Sequence, residues 1–299
     1  MTRFFCVAIF WLLGSSVAEA QARFMAYRIT GKATYSVQKK QHSLKIGKAI
    51  PETATIHVPD GSSVMLICEQ ASKPVTLSAG DHKLISYRDH CNAVEESITS
   101  NYIKYVWWQM TNPGSSPGDE KNRNGSTSGA VSRGCPGVDF LVPDTLNYYQ
   151  ADIVLQWKVF SPDSRAEFVL YEDGSSPVPL LILPMKKEFL HVDSLKKFIK
   201  PGTPFYWNIN LDGNQVCDRR LIQVWEQENF AEITESLRSH LISGVDEAEK
   251  NYQMGFLLEQ NGFWGEAYQY YKAAAKAKPG DDRYKRTEKR FKLLFLEED

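Results

Sequence analysis

The sequence predicts a multidomain α+β protein: a small β-domain, a Gly/Ser-rich linker, a second β region and a C-terminal helical hairpin. Three observations predict it. Short apolar strands with turn signals recur in two separate stretches, one before residue 92 and one after residue 137. Between them the composition shifts abruptly to Gly, Ser, Pro and Asn. After residue 228 the apolar spacing lengthens to the 3.6-residue period of amphipathic helices. The 299-residue length suits two or three domains, and 42% hydrophobic content is enough to build cores. A formal net charge of −1 gives no basic excess with which to hold nucleic acid.

Residues 1–20 read as a secretory signal peptide. Arg3 supplies the positive start, Phe4 to Leu13 is an apolar run, and Ala18-Glu19-Ala20 is a small-x-small cleavage pattern before Gln21. The run is short for a transmembrane helix, which needs about 20 apolar residues; an uncleaved anchor is the alternative. No later stretch is apolar enough to span a bilayer, so the expectation is a periplasmic or secreted protein that is not an integral membrane protein after cleavage. Export also changes the meaning of the cysteines. Without Cys6, four remain: Cys68, Cys91, Cys135 and Cys217. An even set in an oxidising compartment reads as disulfides, and the domain layout favours Cys68–Cys91 with Cys135–Cys217. Four reduced, buried thiols are the alternative.

Residues 21–91 read as short strands: Tyr27–Thr30, Ala33–Val37, Thr55–Val58, Ser63–Cys68, Val75–Leu77 and Lys83–Ser86. Gly31-Lys32 is a tight connection, and Pro59-Asp60-Gly61-Ser62 has the chemistry of a hairpin turn. Val64 to Cys68 is apolar on both faces, as a central strand is. The Gly31-Lys32 opening, Leu44-Lys45-Ile46-Gly47 and Pro59 to Leu66 together resemble the periplasmic sensor domain of the FecR family. That resemblance implies a non-catalytic β-domain that contacts proteins, and an anti-sigma-type sensor fragment is one reading of it.

Residues 92–110 form a predicted connecting helix in which Val94, Ile98, Tyr102, Tyr105 and Val106 keep a helical period. Trp107 and Trp108 follow; two adjacent tryptophans cannot share one core face, so one is expected to rest on a neighbouring domain. Residues 111–137 read as a flexible linker, too poor in apolar area to offset the entropy of ordering. Gly114-Ser115-Ser116-Pro117-Gly118 matches the hydrolase pattern Gly-x-Ser-x-Gly. It lacks the strand before and the helix after that a nucleophile elbow requires. Asn124-Gly125-Ser126 is a glycosylation sequon.

Residues 138–227 read as an immunoglobulin-like β-sandwich. Ile153, Leu155, Trp157 and Val159 alternate with more polar neighbours, as do Phe205, Trp207, Ile209 and Leu211. Period-two alternation describes strands buried on one face, which makes Trp157 and Trp207 core residues first and ligand contacts second. Further strands are expected at Glu167–Tyr171, Val178–Leu183, Glu188–Val192 and Leu221–Trp225.

Residues 228–299 read as helical. Phe230, Ile233, Leu237 and Leu241 mark one face of a first helix, with Asn229 and Glu232 as its capping box. From Ala248 to Asp281 the chain resembles one tetratricopeptide hairpin, carried by Met254, Gly255, Leu258, Gly262, Trp264, Ala267, Tyr271, Ala274 and Pro279. Gly255 and Ala267 are small where two helices approach, and Pro279 ends the second. The resemblance puts Glu249, Tyr252, Phe256 and Glu259 on the concave, ligand-contacting side, with Gln260 beside them for main-chain hydrogen bonds. The alternative is that Tyr252 and Phe256 pack on the preceding helix, 229–242. A last helix, 282–296, is rich in base, and a solvated face explains Arg283, Lys285, Arg286, Lys289, Arg290 and Lys292 most simply; a membrane-surface or polyanion contact is the sharper reading.

No constellation in the sequence carries chemistry. His82, His90, Cys91 and Cys68 match no closed zinc spacing. Asp212-Gly213-Asn214 is turn chemistry without the further oxygens of a calcium loop. Adjacent carboxylate pairs at 95–96, 281–282 and 297–298 diverge on a helix. No catalytic residue, cofactor or metal is therefore expected, and the chain reads as no enzyme. The functional expectation is an exported, non-enzymatic protein-binding adaptor or envelope signalling scaffold. Its partner would be a protein, with envelope and membrane proteins as candidates. The tryptophan count and the sandwich motivate an alternative, a carbohydrate or cell-wall binder; a hydrolase within the sandwich is a third.

Overall fold

The computed structural model describes residues 23–69, 71, 73–91, 97–112, 136–215 and 217–295. The signal-peptide segment, most of the linker with its Gly114–Gly118 motif and Asn124 sequon, and Cys135 lie outside the described residues. The architecture is mixed α+β, with antiparallel sheets and helices. The chain divides into two compact units, Met1–Glu95 and Glu96–Asp299. The division falls inside the 92–110 stretch expected as a connecting helix; the helix observed there, Ile98–Thr111, shares one unit with the second β region and the helical hairpin.

The first unit contains two four-stranded antiparallel sheets. One runs β4 (Ala49–Pro51), β1 (Arg23–Thr30), β6 (Ser63–Cys68), β7 (Val75–Leu77); the other runs β3 (Lys40–Ser43), β2 (Thr34–Val37), β5 (Thr55–Val58), β8 (Gly80–Lys83). Phe24, Ala26, Ile50, Val64 and Leu66 share one core with Tyr35, Ile56, Val58 and Leu84. β6 is buried along Val64 to Cys68 and is flanked on both sides, which is why it lacks alternation.

Two expectations change here. The Pro59–Ser62 turn forms, with Ser62 N–H donating to Pro59 O at 3.0 Å. Its flanking strands β5 and β6 nevertheless enter different sheets, so it is a corner rather than a hairpin. The tight hairpin is β2–β3, turned by Gln38 and Lys39 at φ of 49° and 66°, a pair of left-handed residues with no glycine to announce them. The strand expected at Lys83–Ser86 stops at Lys83, and a 3₁₀ turn, Leu84–Tyr87, leads into the single helical turn α1 (Arg88–Cys91). Gly31, at φ +79°, brings the crossing between sheets against Ser62, whose hydroxyl a Cβ would strike.

Cys68 on β6 and Cys91 at the end of α1 are joined by a disulfide, Cα to Cα 5.4 Å. Arg88 forks onto the buried Glu52 carboxylate beside it. The disulfide is compatible with an exported protein. Cys217 is also disulfide-bonded. Among the described residues no helix is long and apolar enough to cross a membrane.

The second unit packs two sheets face to face. The larger runs β10 (Thr145–Tyr148), β17 (Arg220–Val224), β15 (Pro204–Leu211), β12 (Ala166–Tyr171), β13 (Leu181–Met185), with β16 (Asn214–Gln215) paired to β15. The smaller runs β14 (Phe189–His191), β11 (Val154–Val159), β9 (Val138–Phe140). Trp157 of the smaller sheet meets Phe168 and Trp207 of the larger, with ring centroids 6.4 Å apart in both cases. All three side chains are almost fully buried, as their alternation requires. β10 and β17 run parallel, a pairing for which the sequence carries no local signal.

Among the described residues five helices complete this unit: α2 (Ile98–Thr111), α3 (Gln227–Arg238), α4 (Glu247–Gln260), α5 (Trp264–Ala277) and α6 (Asp282–Phe295). α2 is opened by a capping box at Ser97 and Ser100, inside the stretch expected to be continuous helix. α3 begins at Gln227, so the box expected at Asn229 lies within the helix and does not cap it; Leu241 lies beyond its end. α4 is capped by Asp246, whose side chain accepts from Glu249 N–H at 3.0 Å. Gly255 lies under the Tyr271 ring, where a Cβ would come within 2.8 Å, so α4 and α5 touch where the small residue allows.

The Cys68–Cys91 bridge closes a segment with a sequence separation of 23. Replacing both cysteines by serine should cost the first unit about 3 kcal/mol. Urea denaturation followed by the loss of that unit's β signal measures it, and the effect should be reproduced by reducing the unmodified chain.

Candidate functional site

Glu249, Tyr252, Phe256 and Glu259 are spaced three, four and three residues apart, so α4 carries them on one face. Sequence resemblance offers this face to a ligand. In the folded chain it is covered: Tyr252 and Phe256 are 0% and 3% exposed, Glu249 and Glu259 4% and 8%. Only Gln260, at the helix end, is half-buried. The cover is α2. Tyr102 meets Phe256 edge-on at 5.4 Å, and the Tyr105 ring lies 4.8 Å from Phe256 and 6.3 Å from Tyr252. Such pairs add about 0.5–1.5 kcal/mol each beyond their buried area. The segment preceding α4, the alternative cover for this face, reaches Gln253 instead: Ile242 N–H donates to Gln253 Oε1 at 2.8 Å.

The two carboxylates decide what else must be present. A buried carboxylate needs donors on every side, and its loss of hydration is offset only by close partners. Glu249 accepts from the hydroxyls of Tyr102 and of Tyr284, the latter at 2.6 Å, and from Arg283 Nη2 at 3.4 Å. Glu259 accepts from Tyr271 at 2.7 Å and from Arg290 Nη2 at 3.1 Å. Tyr252 and Thr287 share a hydrogen bond of 2.9 Å between them. The phenols respond. Burial, then the nearby Glu249 carboxylate, pushes Tyr284 far up; burial, then Glu259, does the same to Tyr271; burial and Tyr105 raise Tyr252.

The basic helix α6 is consequently not a uniformly solvated face. Arg283 and Arg290 are buried against α4, and half-buried Arg286 reaches Gln109 O of α2 at 3.4 Å. Lys285, Lys289 and Lys292 are exposed. Arginine, with its planar fork and weaker hydration, takes the inward positions, and lysine the outward ones. The 283, 286, 290 spacing of arginine alone was the signal that could have shown this.

A third carboxylate joins the hairpin to the sandwich. Glu266, in the first turn of α5, accepts from the backbone N–H groups of Tyr149, Gln150 and Ala151 at 3.1, 2.8 and 3.1 Å. Gly265 lets that loop approach, since a Cβ there would strike the Ala151 carbonyl. Asn147 N–H donates to Gly262 O at 3.0 Å, and Tyr149 stacks on Phe230 at 4.4 Å.

Other sequence candidates fall apart in space or lie elsewhere. Cys68 and Cys91 are spent in a disulfide and have no thiolate to give a zinc ion. His82 is engaged by Ser78 O and Tyr87 Oη at 2.8 and 3.0 Å. Trp157 and Trp207, each 1% exposed, present no ring to a sugar. Asp212-Gly213 forms the β15–β16 turn at φ of 49° and 78°.

One surface was not anticipated. Among the described residues β13 is the last strand of its sheet, and Val178, Leu180 and Ile182 on and before it are 71%, 41% and 49% exposed. Exposed Lys186 and Lys187 follow directly. Comparison of the chain with protein-family models and with curated proteins gives no match.

Changing Arg290 to Ala should destabilise the second unit by about 3–5 kcal/mol, because Glu259 is left buried without its cation; thermal or denaturant unfolding measures the loss. Changing Glu259 to Gln in the same chain should recover part of it. The phenols of Tyr252, Tyr271 and Tyr284 ionise in the unfolded chain near 10.0 and far above that when folded. Their contribution to stability is thus whole below pH 10 and declines as pH rises beyond it. Phenolate absorbance should therefore appear for these groups only together with unfolding, and each Tyr→Phe change should lower stability at neutral pH while making it fall less steeply as pH rises beyond 10.0.

Proposed function

We propose that the protein is an exported protein-binding adaptor, and that its contact surface is the β13 edge with the apolar segment leading into it. The observation that carries the reading is the run Pro177–Met185: Val178 just before β13 and Ile182 on it are 71% and 49% exposed, and β13 is terminal in its sheet among the described residues. Soluble domains normally shield apolar edge strands, because the unpaired backbone there templates further pairing. The partner that fits is an extended apolar segment of another protein, with acidic residues placed to meet exposed Lys186 and Lys187. The disulfide framework supports a periplasmic or secreted setting.

Contact through the concave face of α4 remains coupled to α2: an outside ligand reaches Tyr252 and Phe256 only when Tyr102 and Tyr105 leave. The edge strand needs no such opening. A photo-crosslinking residue at Ile182, in chains expressed in the native envelope, should yield a defined protein adduct. The same residue at Gln260 should yield none. Changing Val178 to Asp and Ile182 to Lys should abolish the adduct formed from Leu180 while leaving stability within about 0.5 kcal/mol. A crosslink from Gln260 alone would move the contact to the hairpin, and no adduct from either site would end the adaptor reading.

A further inference from the structure

The solvent face of the β3-β2-β5-β8 sheet sets Ser36, His57 and Asp81 on three adjacent strands. Asp81 stands directly opposite His57 on β8, and Ser36 lies diagonally across on β2, two residues from Thr34, the residue opposite His57. His57 Nδ1 is 2.7 Å from Asp81 Oδ1, and His57 Nε2 is 2.9 Å from Ser36 Oγ. In the neutral ring an Nδ1–H that donates to the Asp81 carboxylate leaves Nε2 as the acceptor. In that tautomer the Ser36 hydroxyl donates to Nε2. A hydrated sheet face would account for polar residues at these positions. It does not require both ring nitrogens to be engaged in the one order that turns a hydroxyl into a nucleophile.

We propose that Ser36 is an activated nucleophile, with His57 as its general base and Asp81 as the positioning residue, and that it hydrolyses acyl esters. Ser36 Oγ attacks the ester carbonyl carbon while its proton passes to His57 Nε2, and the carbonyl π pair moves onto oxygen. That pair returns as the bond to the leaving alcohol breaks, and the alcohol takes the proton from His57. Water then attacks the acyl-serine, gives a proton to His57 and releases the acid; the proton returns to Ser36 Oγ. No other reactant is consumed. Gln41 stands opposite Ser36 on one side, and on the other Thr55 is followed in the same row by exposed Lys83. The lysine lies about 10 Å away by strand spacing, within reach of a developing oxyanion for a side chain of that length.

The His57 and Asp81 side chains are 33% and 73% exposed. An open face cannot enclose a small substrate, so the class that fits is an ester displayed on a large or extended molecule. This activity belongs to the first unit and does not depend on the adaptor reading, which rests on the second.

The test exposes the full chain to a fluorophosphonate probe and maps the adducts by mass spectrometry. The expected result is one adduct, on Ser36, absent from the Ser36→Ala variant. His57→Ala should slow labelling about 100-fold or more, the usual contribution of a general base. Asp81→Asn should slow it about 10-fold or more by favouring the wrong tautomer, while Thr55→Ala leaves the rate unchanged. The same order of variants should hold for acetate release from p-nitrophenyl acetate. All three triad positions are on the solvent face, so circular dichroism of each variant should match the parent. Labelling of Ser36 no faster than other surface serines, or at the parent rate in His57→Ala, overturns the proposal.

Discussion

Two glutamates on one buried helix face constrain the whole C-terminal half of this protein. Glu249 and Glu259 lie where α4 must bury Tyr252 and Phe256, so their charges go into the interior with the aromatics. Removed from water, each demands a cation and hydroxyl donors. α6 meets the demand with Arg283 and Arg290, α2 with Tyr102, and the hairpin itself with Tyr271. A single helical hairpin buries too little on its own. Here two neighbouring helices cover it, and the carboxylates specify which helices those are.

The same logic attaches helices to sheet. The Glu266 carboxylate holds three successive N–H groups of the loop after β10, close to the arrangement by which backbone nests bind anions. Glycines at 262 and 265 let backbone and loop approach at the same junction. Unlike a surface ion pair, this contact cannot slide, because three donors fix one oxygen from separate directions.

Much of this was legible locally. The helical period and small residues placed α4 and α5 within a few residues, and the alternation around Trp157 and Trp207 named both as core. Disulfide formation at Cys68 and Cys91 followed from compartment and layout. What escaped was long-range. Nothing near Tyr102 or Tyr105 signals a partner 147 residues away. The Pro59–Ser62 turn reads as a hairpin because turn chemistry is local, whereas the choice of sheet for β5 and β6 is made by the core. The Ser36–His57–Asp81 alignment depends on the register of three strands, which no spacing within the chain encodes.

The position of α2 has a consequence for how the chain is made. It emerges from the ribosome, and crosses any membrane, well before the helix it clasps. Until α4 arrives, Tyr102, Ile103, Tyr105 and Val106 have nowhere to hide. Closure of so distant a pair is slow, and a chain waiting with a greasy helix exposed invites capture by holdase chaperones or by its own copies. The clasp thus cannot close until α4 has been made, however early α2 itself is ready.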